Sequence, residues 1–193
     1  MILFGLYRST ESYYCMYENH RFFFGGSFDP IHFGHLHLAI QMLEKEGIDE
    51  VLFCPAYCSP FKMDLPPAAS GKDRFKMIQL AIADVPAFRV TPIEIELPGA
   101  SFTVDTLSKL REPNVSYRLI LSHEIAAHFH GWKDPEKIRK LASPVVGTRT
   151  LAISSTDIRE RLKKKTILWA LGSKRSAGLH SETWIILLNH DER

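Results

Sequence analysis

A chain of 193 residues is long enough to bury a full core within one domain. Its 45% apolar and 24% charged residues are ordinary for a soluble protein, and a net charge of +2 argues against the broad basic face of a dedicated nucleic-acid binder. No apolar run approaches the ~18 residues needed to span a bilayer, and the three cysteines (Cys15, Cys54, Cys58) form an odd, sparse set that suits a reducing compartment.

Residues 1–20 read as an extension outside the main pattern, with neither a basic leader region nor a small-residue cleavage site, so the expected address is cytoplasmic. Residues 21–193 then read as a single domain in which short apolar runs alternate with helical patterns, the signature of a parallel sheet covered on both faces. RFFFG (21–25) is the first strand. HFGHLHLAIQMLEKEG follows as a helix with Leu36, Ile40 and Leu43 on one face and Gly47 as its stop. DEVLFCPA (49–56) is a second strand, followed by a proline-rich loop and a helix over 72–85 with Phe75, Ile78, Ala81 and Ile82 as its buried stripe. FRVTPIEIEL (88–97) is a strand region, residues 101–112 are helical, and YRLILS (117–122) is a buried strand. Asp134 as N-cap and Pro135 at the first helical position open a helix over 134–142. SPVVGT and LAIS are short strands, STDIRERLKKK is a basic helix, and the tail 166–193 offers one helix candidate at 182–190.

The densest chemical signal is GGSFDPIHFGH, Gly25 to His35. A strand that turns straight into a helix leaves orphan backbone N–H groups and the positive end of the helix dipole at the sheet's carboxyl edge, which is a phosphate site. His32 and His35 are helical neighbours there, and two imidazoles can donate hydrogen bonds to a charged transition state. Gly34 between them removes a side chain where a ligand or another backbone must come close. A second anion-facing helix start is ISSTDIR, in which Ser154 or Ser155 can cap the helix, Thr156 adds a hydroxyl and Arg159 can fork onto phosphate oxygens. Two metal patterns are weak. Cys54 and Cys58 lack a second pair, and His123 and His128 of HEIAAHFH are five apart, about 140° away from a shared helix face.

The string GGSFDPIHFGH resembles the signature of the HxGH nucleotidyltransferase superfamily, and with ISSTDIR it is similar to the bacterial nicotinate-nucleotide adenylyltransferases. The resemblance covers roughly residues 21–165 and implies a Rossmann-like α/β fold with helices on both faces of a parallel sheet. It further implies adenylyl transfer from ATP, accompanied by Mg²⁺, to nicotinate mononucleotide. His32, His35 and Arg159 are then the implied catalytic residues, and Gly26, Ser27, Phe28, Gly34, Lys62, Ser155 and Thr156 the implied ATP cradle. ASFTVDTLSKL resembles the family segment beside the nicotinate ring, so Ser101, Phe102 and Thr103 are candidates there, and Trp132 matches the tryptophan that stacks on the pyridine. A cap opening a helix also explains Ser101 or Thr103, and Arg74 matches a family arginine read as structural.

Four departures stand against this pattern. Leu121, Ser122 and His123 occupy the places of a family G-x-D, Ser59 and Phe61 depart within the proline-rich loop, the bridge from Val146 to Ile153 is short, and Phe102 replaces a tyrosine. A transferase with another phosphate acceptor, such as pantetheine phosphate, and a nucleotide-binding homologue without turnover therefore stay open, as does assembly into a homo-oligomer.

Overall fold

The computed structural model describes residues 19–148 and 153–163. Residues 1–18 of the extension, the tail with its helix candidate, and Leu151–Ala152 of the expected LAIS strand lie outside these residues, and Ile153–Ser154 are not strand.

The three aromatics of the first strand explain the architecture. β1 (Asn19–Gly26) is central, and its alternation sends Phe22 and Phe24 to one face and Phe23 to the other. Five parallel strands lie in the order β3-β2-β1-β4-β5, with β2 at Glu50–Pro55, β3 at Phe88–Val90, β4 at Val115–Ser122 and β5 at Ala142–Gly147. On the Phe22/Phe24 face pack α1 (Phe33–Glu46) and α2 (Gly71–Ala81), through Leu38, Ala39, Met42 and Ile78. Against Phe23 pack α3 (Thr103–Lys109), the short α4 (His123–Ala126) and α5 (Pro135–Leu141), with Val104, Leu107 and Ile138 as their buried residues. α6 (Ser155–Lys163) closes the described chain. This is the doubly wound arrangement expected of a Rossmann-like fold. The strand order reverses between β1 and β4, which opens a crevice at the carboxyl edge.

Several local readings shift. β1 begins at Asn19 because its first residues pair with Val115 and Ser116 of β4. The 88–97 strand region ends at Val90, since Pro92 cannot donate to a ladder and residues 93–96 form turns. α1 turns Leu38, Ala39 and Met42 to the core, leaves Leu36 and Leu43 partly buried, and exposes Ile40 by 41%. The setting comes from Gly147: a Cβ there would stand 2.2 Å from Leu38 Cδ1 and 2.9 Å from Met42 Cε, so β5 meets that side of the helix. In α2, Met77, Ile78 and Arg74 are buried while Phe75 is only half-buried. Asp134 occupies the N-cap position of α5 but makes no side-chain cap, its backbone being left-handed (φ 49°). Gly47 ends α1 in the left-handed conformation, as its place in the sequence predicts.

Candidate active site

At the carboxyl edge the β1–α1 turn is built around Asp29–Pro30, a cis peptide, and Phe28, whose positive φ of 46° sits in a cage of Phe24, Phe53 and His35 rings. His32 is the N-cap of α1. Its Nδ1 accepts the Gly34 N–H at 3.1 Å, while His35 Nδ1 accepts the His32 N–H at 3.3 Å, a reciprocal capping box made of two imidazoles. Their rings stack with centroids 3.8 Å apart. Both caps need an unprotonated Nδ1, so each neutral ring carries its proton on Nε2, where it is a donor. Gly34 is required by this geometry: a Cβ would fall 3.0 Å from His32 Cε1 and 3.1 Å from its Nδ1, with the Ile153 carbonyl at 3.7 Å.

The second helix start docks onto the same turn. Ser154 caps α6 by accepting the Asp157 N–H at 3.1 Å, and Ser155 Oγ donates to the Pro30 carbonyl at 2.9 Å. Arg159 Nη1 donates to the Asp29 carbonyl and lies 3.4 Å from its carboxylate, while Nη2 donates to Thr156 Oγ1 at 3.2 Å. The guanidinium thus sits on Asp29 and Thr156, beside the cleft rather than on its wall.

A cleft of about 790 Å³ connects this turn to a second wall. On the side of the β1–α1 turn Gly26, Ser27, Phe28, His35, Ser155 and Thr156 line it, joined by Lys62 from the turn Pro60–Lys62. The opposite side is Ser101, Phe102, Thr103 and Trp132. His32 is buried as the cap and, like Gly34 and Arg159, does not line the cleft itself. The structure therefore gathers residues separated by more than a hundred positions, such as Ser27 and Trp132, around one space.

The far wall is held by cross-links between segments. Neither expected side-chain cap opens α3, whose N-cap residue is Phe102. Ser101 instead zips the loop after β2: its N–H donates to the Cys58 carbonyl at 2.8 Å and its Oγ accepts the Tyr57 N–H at 2.9 Å. Lys133, next to Trp132, donates to Asp105 Oδ2 at 2.9 Å and stands 4.6 Å from the Phe102 ring centre. Trp132 itself leans on Phe129, with centroids 5.3 Å apart. Beneath them Glu94 is buried, accepts from Thr106 Oγ1 at 2.6 Å and lines the cleft. Burial pushes its carboxyl above the usual range, against hydrogen bonds from Thr106, Ser101 and Cys54 that pull it down. The Cys54 thiol is pushed up as well, first by burial and then by Glu94.

Arg74 takes the structural role read from sequence. The residue is 1% exposed, and its guanidinium donates to the carbonyls of Ser27, Ala56, Ala69 and Tyr57 at 2.7, 2.6, 3.2 and 3.3 Å, lacing the β1 and β2 loops from below. Burial pulls its pKa below the usual guanidinium value, while the nearby Asp29 charge opposes that shift. His123, in the place of the family acid, is exposed on the short α4, and Ser122 before it caps that helix by accepting the Ile125 N–H. The sequence reading missed Asp29, Glu94 and Lys133. The available signal for Glu94 was its position between Pro92 and Pro98, which rules out a regular strand and leaves a carboxyl free to turn inward. Among the described residues, no group of three or more His, Cys, Asp or Glu side chains is placed to hold a metal ion.

Known proteins resemble this chain along the same stretch. The cytidylyltransferase-like family model matches residues 23–161. A probable nicotinate-nucleotide adenylyltransferase of Hydrogenovibrio crunogenus is 41% identical over 127 residues, 65% of this chain and 60% of that protein. A protein of the same name from Dictyoglomus turgidum is 39% identical over 141 residues, covering 72% of this chain and 68% of its own length. The chain thus spans about three-fifths to two-thirds of these relatives. In three dimensions it superposes on the Plasmodium falciparum nicotinic acid mononucleotide adenylyltransferase complexed with NaAD, with a TM-score of 0.66 at 16% identity, covering 90% of this chain and 97% of the other. That likeness establishes the shared fold.

Proposed function

The chain belongs to the cytidylyltransferase-like family, among its nicotinate-nucleotide adenylyltransferases, and from that premise we propose that it transfers the adenylyl group of ATP to nicotinate mononucleotide. The observation that carries the reading is the single cleft lined at one end by two helix starts and His35, and at the other by Trp132 and the 101–103 turn. The first end suits a triphosphate and the second a planar ring bearing its own phosphate.

In this reaction an oxygen of the acceptor's 5′-phosphate attacks the α-phosphorus of ATP. The bond to the β-phosphate oxygen breaks, and nicotinate adenine dinucleotide and pyrophosphate leave. No protein nucleophile is needed, so the chain's task is positioning and charge stabilisation. His35, with its proton on Nε2, donates to the developing negative charge. His32 fixes that tautomer through the capping box and, buried off the cleft wall, acts through the stacked His35 ring. Gly26, Ser27 and Phe28 offer the turn's backbone, Ser155 and Thr156 the mouth of α6, and Lys62 and Arg159 the countercharge. Trp132 stacks on the pyridine, while Ser101, Phe102 and Thr103 border its carboxylate. Magnesium enters as part of the substrate, Mg·ATP, since phosphate oxygens and water are its ordinary ligands. The buried thiols of Cys54 and Cys58, both free, support a cytoplasmic address.

The test is pyrophosphate release from Mg·ATP with nicotinate mononucleotide, nicotinamide mononucleotide and phosphopantetheine offered in parallel. Release with the nicotinate acceptor is the expected result. Release with phosphopantetheine alone would reassign the acceptor, and silence with all three beside measurable ATP binding would leave a nucleotide binder without turnover.

A further inference from the structure

Asp29 is a buried acid at the very turn that gathers phosphate, and the reaction as described gives it nothing to do. A carboxylate in such a place repels the ligand unless its charge is committed elsewhere. Here it is committed three times. One oxygen accepts the Ala68 N–H at 2.8 Å, the other accepts the Ala69 N–H at 2.9 Å, and Arg159 stands 3.4 Å away. The side chain is 8% exposed, so these partners replace water rather than compete with it. The residue's own carbonyl also accepts from Arg159 Nη1, so the guanidinium is gripped by backbone and side chain of one residue. Three separate segments meet on this one carboxylate: the β1–α1 turn, the loop before α2 and α6.

A guanidinium carries five N–H donors in a rigid plane. Gripping one edge on Asp29 and tying Nη2 to Thr156, which lines the cleft, fixes the plane of the others beside the phosphate end. We propose that Asp29 is the positioning residue for Arg159, holding its guanidinium in the orientation that meets the triphosphate, while anchoring the 68–69 loop to the same turn. This rests on the reading of Arg159 as a phosphate-holding residue. Asp29 touches no substrate; it acts through Arg159, and that dependence is what can be measured.

The test is a double-mutant cycle in the full chain with Asp29→Asn, Arg159→Ala and the pair, reading KM and kcat for ATP, KM for the acceptor, and the melting temperature. Arg159→Ala is expected to lower kcat/KM for ATP by about 100-fold, the scale of one lost charge-stabilising donor. Asp29→Asn is expected to lower it about tenfold through misplacement of the guanidinium, with the acceptor KM unchanged. The double variant should then be no worse than Arg159→Ala alone, because the second change has nothing left to misplace. Losses that multiply would overturn the proposal, since Asp29 would then act independently of Arg159. Tighter ATP binding in Asp29→Asn would overturn it too, showing the arginine restrained rather than aimed. A normal Arg159→Ala enzyme would instead refute the role given to Arg159 itself. Should Asp29→Asn fail to fold, Asp29→Ser keeps a small acceptor for the Ala68 and Ala69 N–H groups and is read against the same criteria.

Discussion

Replacing Gly34 by alanine separates stability from chemistry at one position. The added Cβ would lie 3.0 Å from His32 Cε1 and 3.1 Å from Nδ1, closer than carbon and nitrogen settle by about half an ångström. The imidazole cannot simply retreat, because His35 stacks against it at 3.8 Å. It must slide, lengthening the 3.1 Å cap to the residue-34 N–H and carrying the His35 ring along. Two effects on stability then oppose each other. Alanine is better than glycine in a helix by up to about 1 kcal/mol, and a weakened N-cap costs about 1 kcal/mol. The melting temperature should therefore move by no more than about 4 °C in either direction for a chain of this size. Activity has no such compensation, since a 1 Å misplacement of a catalytic group can cost 100-fold, and half of that displacement predicts a loss near tenfold in kcat. Pyrophosphate release and a thermal melt on the same preparation measure both. A variant that keeps wild-type kcat would refute the claim that the stacked histidine pair is held in place for the reaction; a variant that unfolds would refute the balance of the two stability effects.

Other perturbations test other parts of the site. Trp132→Ala should raise the acceptor KM well beyond the ATP KM, and equal effects on both would make the indole a packing group against Phe129. Gly147→Ala should cost about 1–3 kcal/mol in denaturant unfolding by overpacking, because the new Cβ would meet Leu38 Cδ1 at 2.2 Å; an unchanged midpoint would mean that α1 shifts freely. Glu94 has a folded pKa above its usual 4.5, so the folded chain binds its proton more tightly than the unfolded one. Its favourable contribution is full below 4.5 and is lost as pH rises through the raised value, so Glu94→Gln should flatten the fall of melting temperature with pH in that window. An identical slope in wild type and variant would show that Glu94 titrates like an exposed acid.

What could be read from sequence followed from how each feature is encoded. The Phe22–Phe24 run announces a central strand because period-two alternation assigns its faces without further information. Helix α1 was equally plain in extent but not in rotation. Nearly every position from Leu36 to Leu43 is apolar or small, so periodicity alone did not choose between Ile40 and Leu38; the close approach of Gly147 did. In α2 a charged residue lies at the core: the apolar stripe gives Arg74 no place there, so its structural role was legible only through the resemblance, and the four backbone carbonyls around it supply the reason.

The two ends of the cleft were unequally legible for a related reason. The end at the β1–α1 turn, to which the phosphates are assigned in the proposed function, is made by local backbone geometry, a glycine-bearing turn and two helix starts, and such geometry must be written in contiguous residues: Gly25 to His35 and Ile153 to Arg159. Even there, Asp29 was visible only as a letter in the turn, because its partners Ala68, Ala69 and Arg159 lie 39, 40 and 130 positions away. The ring end has no local writing at all. It is assembled from side chains on separate segments, with Lys133 bridging to Asp105 and Phe102, Ser101 catching the loop after β2, and Glu94 beneath them. His123, where the family pattern has its acid, opens α4 in this chain, with Ser122 as the cap. An acceptor site built in this way can change its selectivity through one side chain while the phosphate turn stays intact. Under the proposed function, the choice of acceptor falls to Glu94, Lys133 and Trp132 more than to either of the two helix-start motifs.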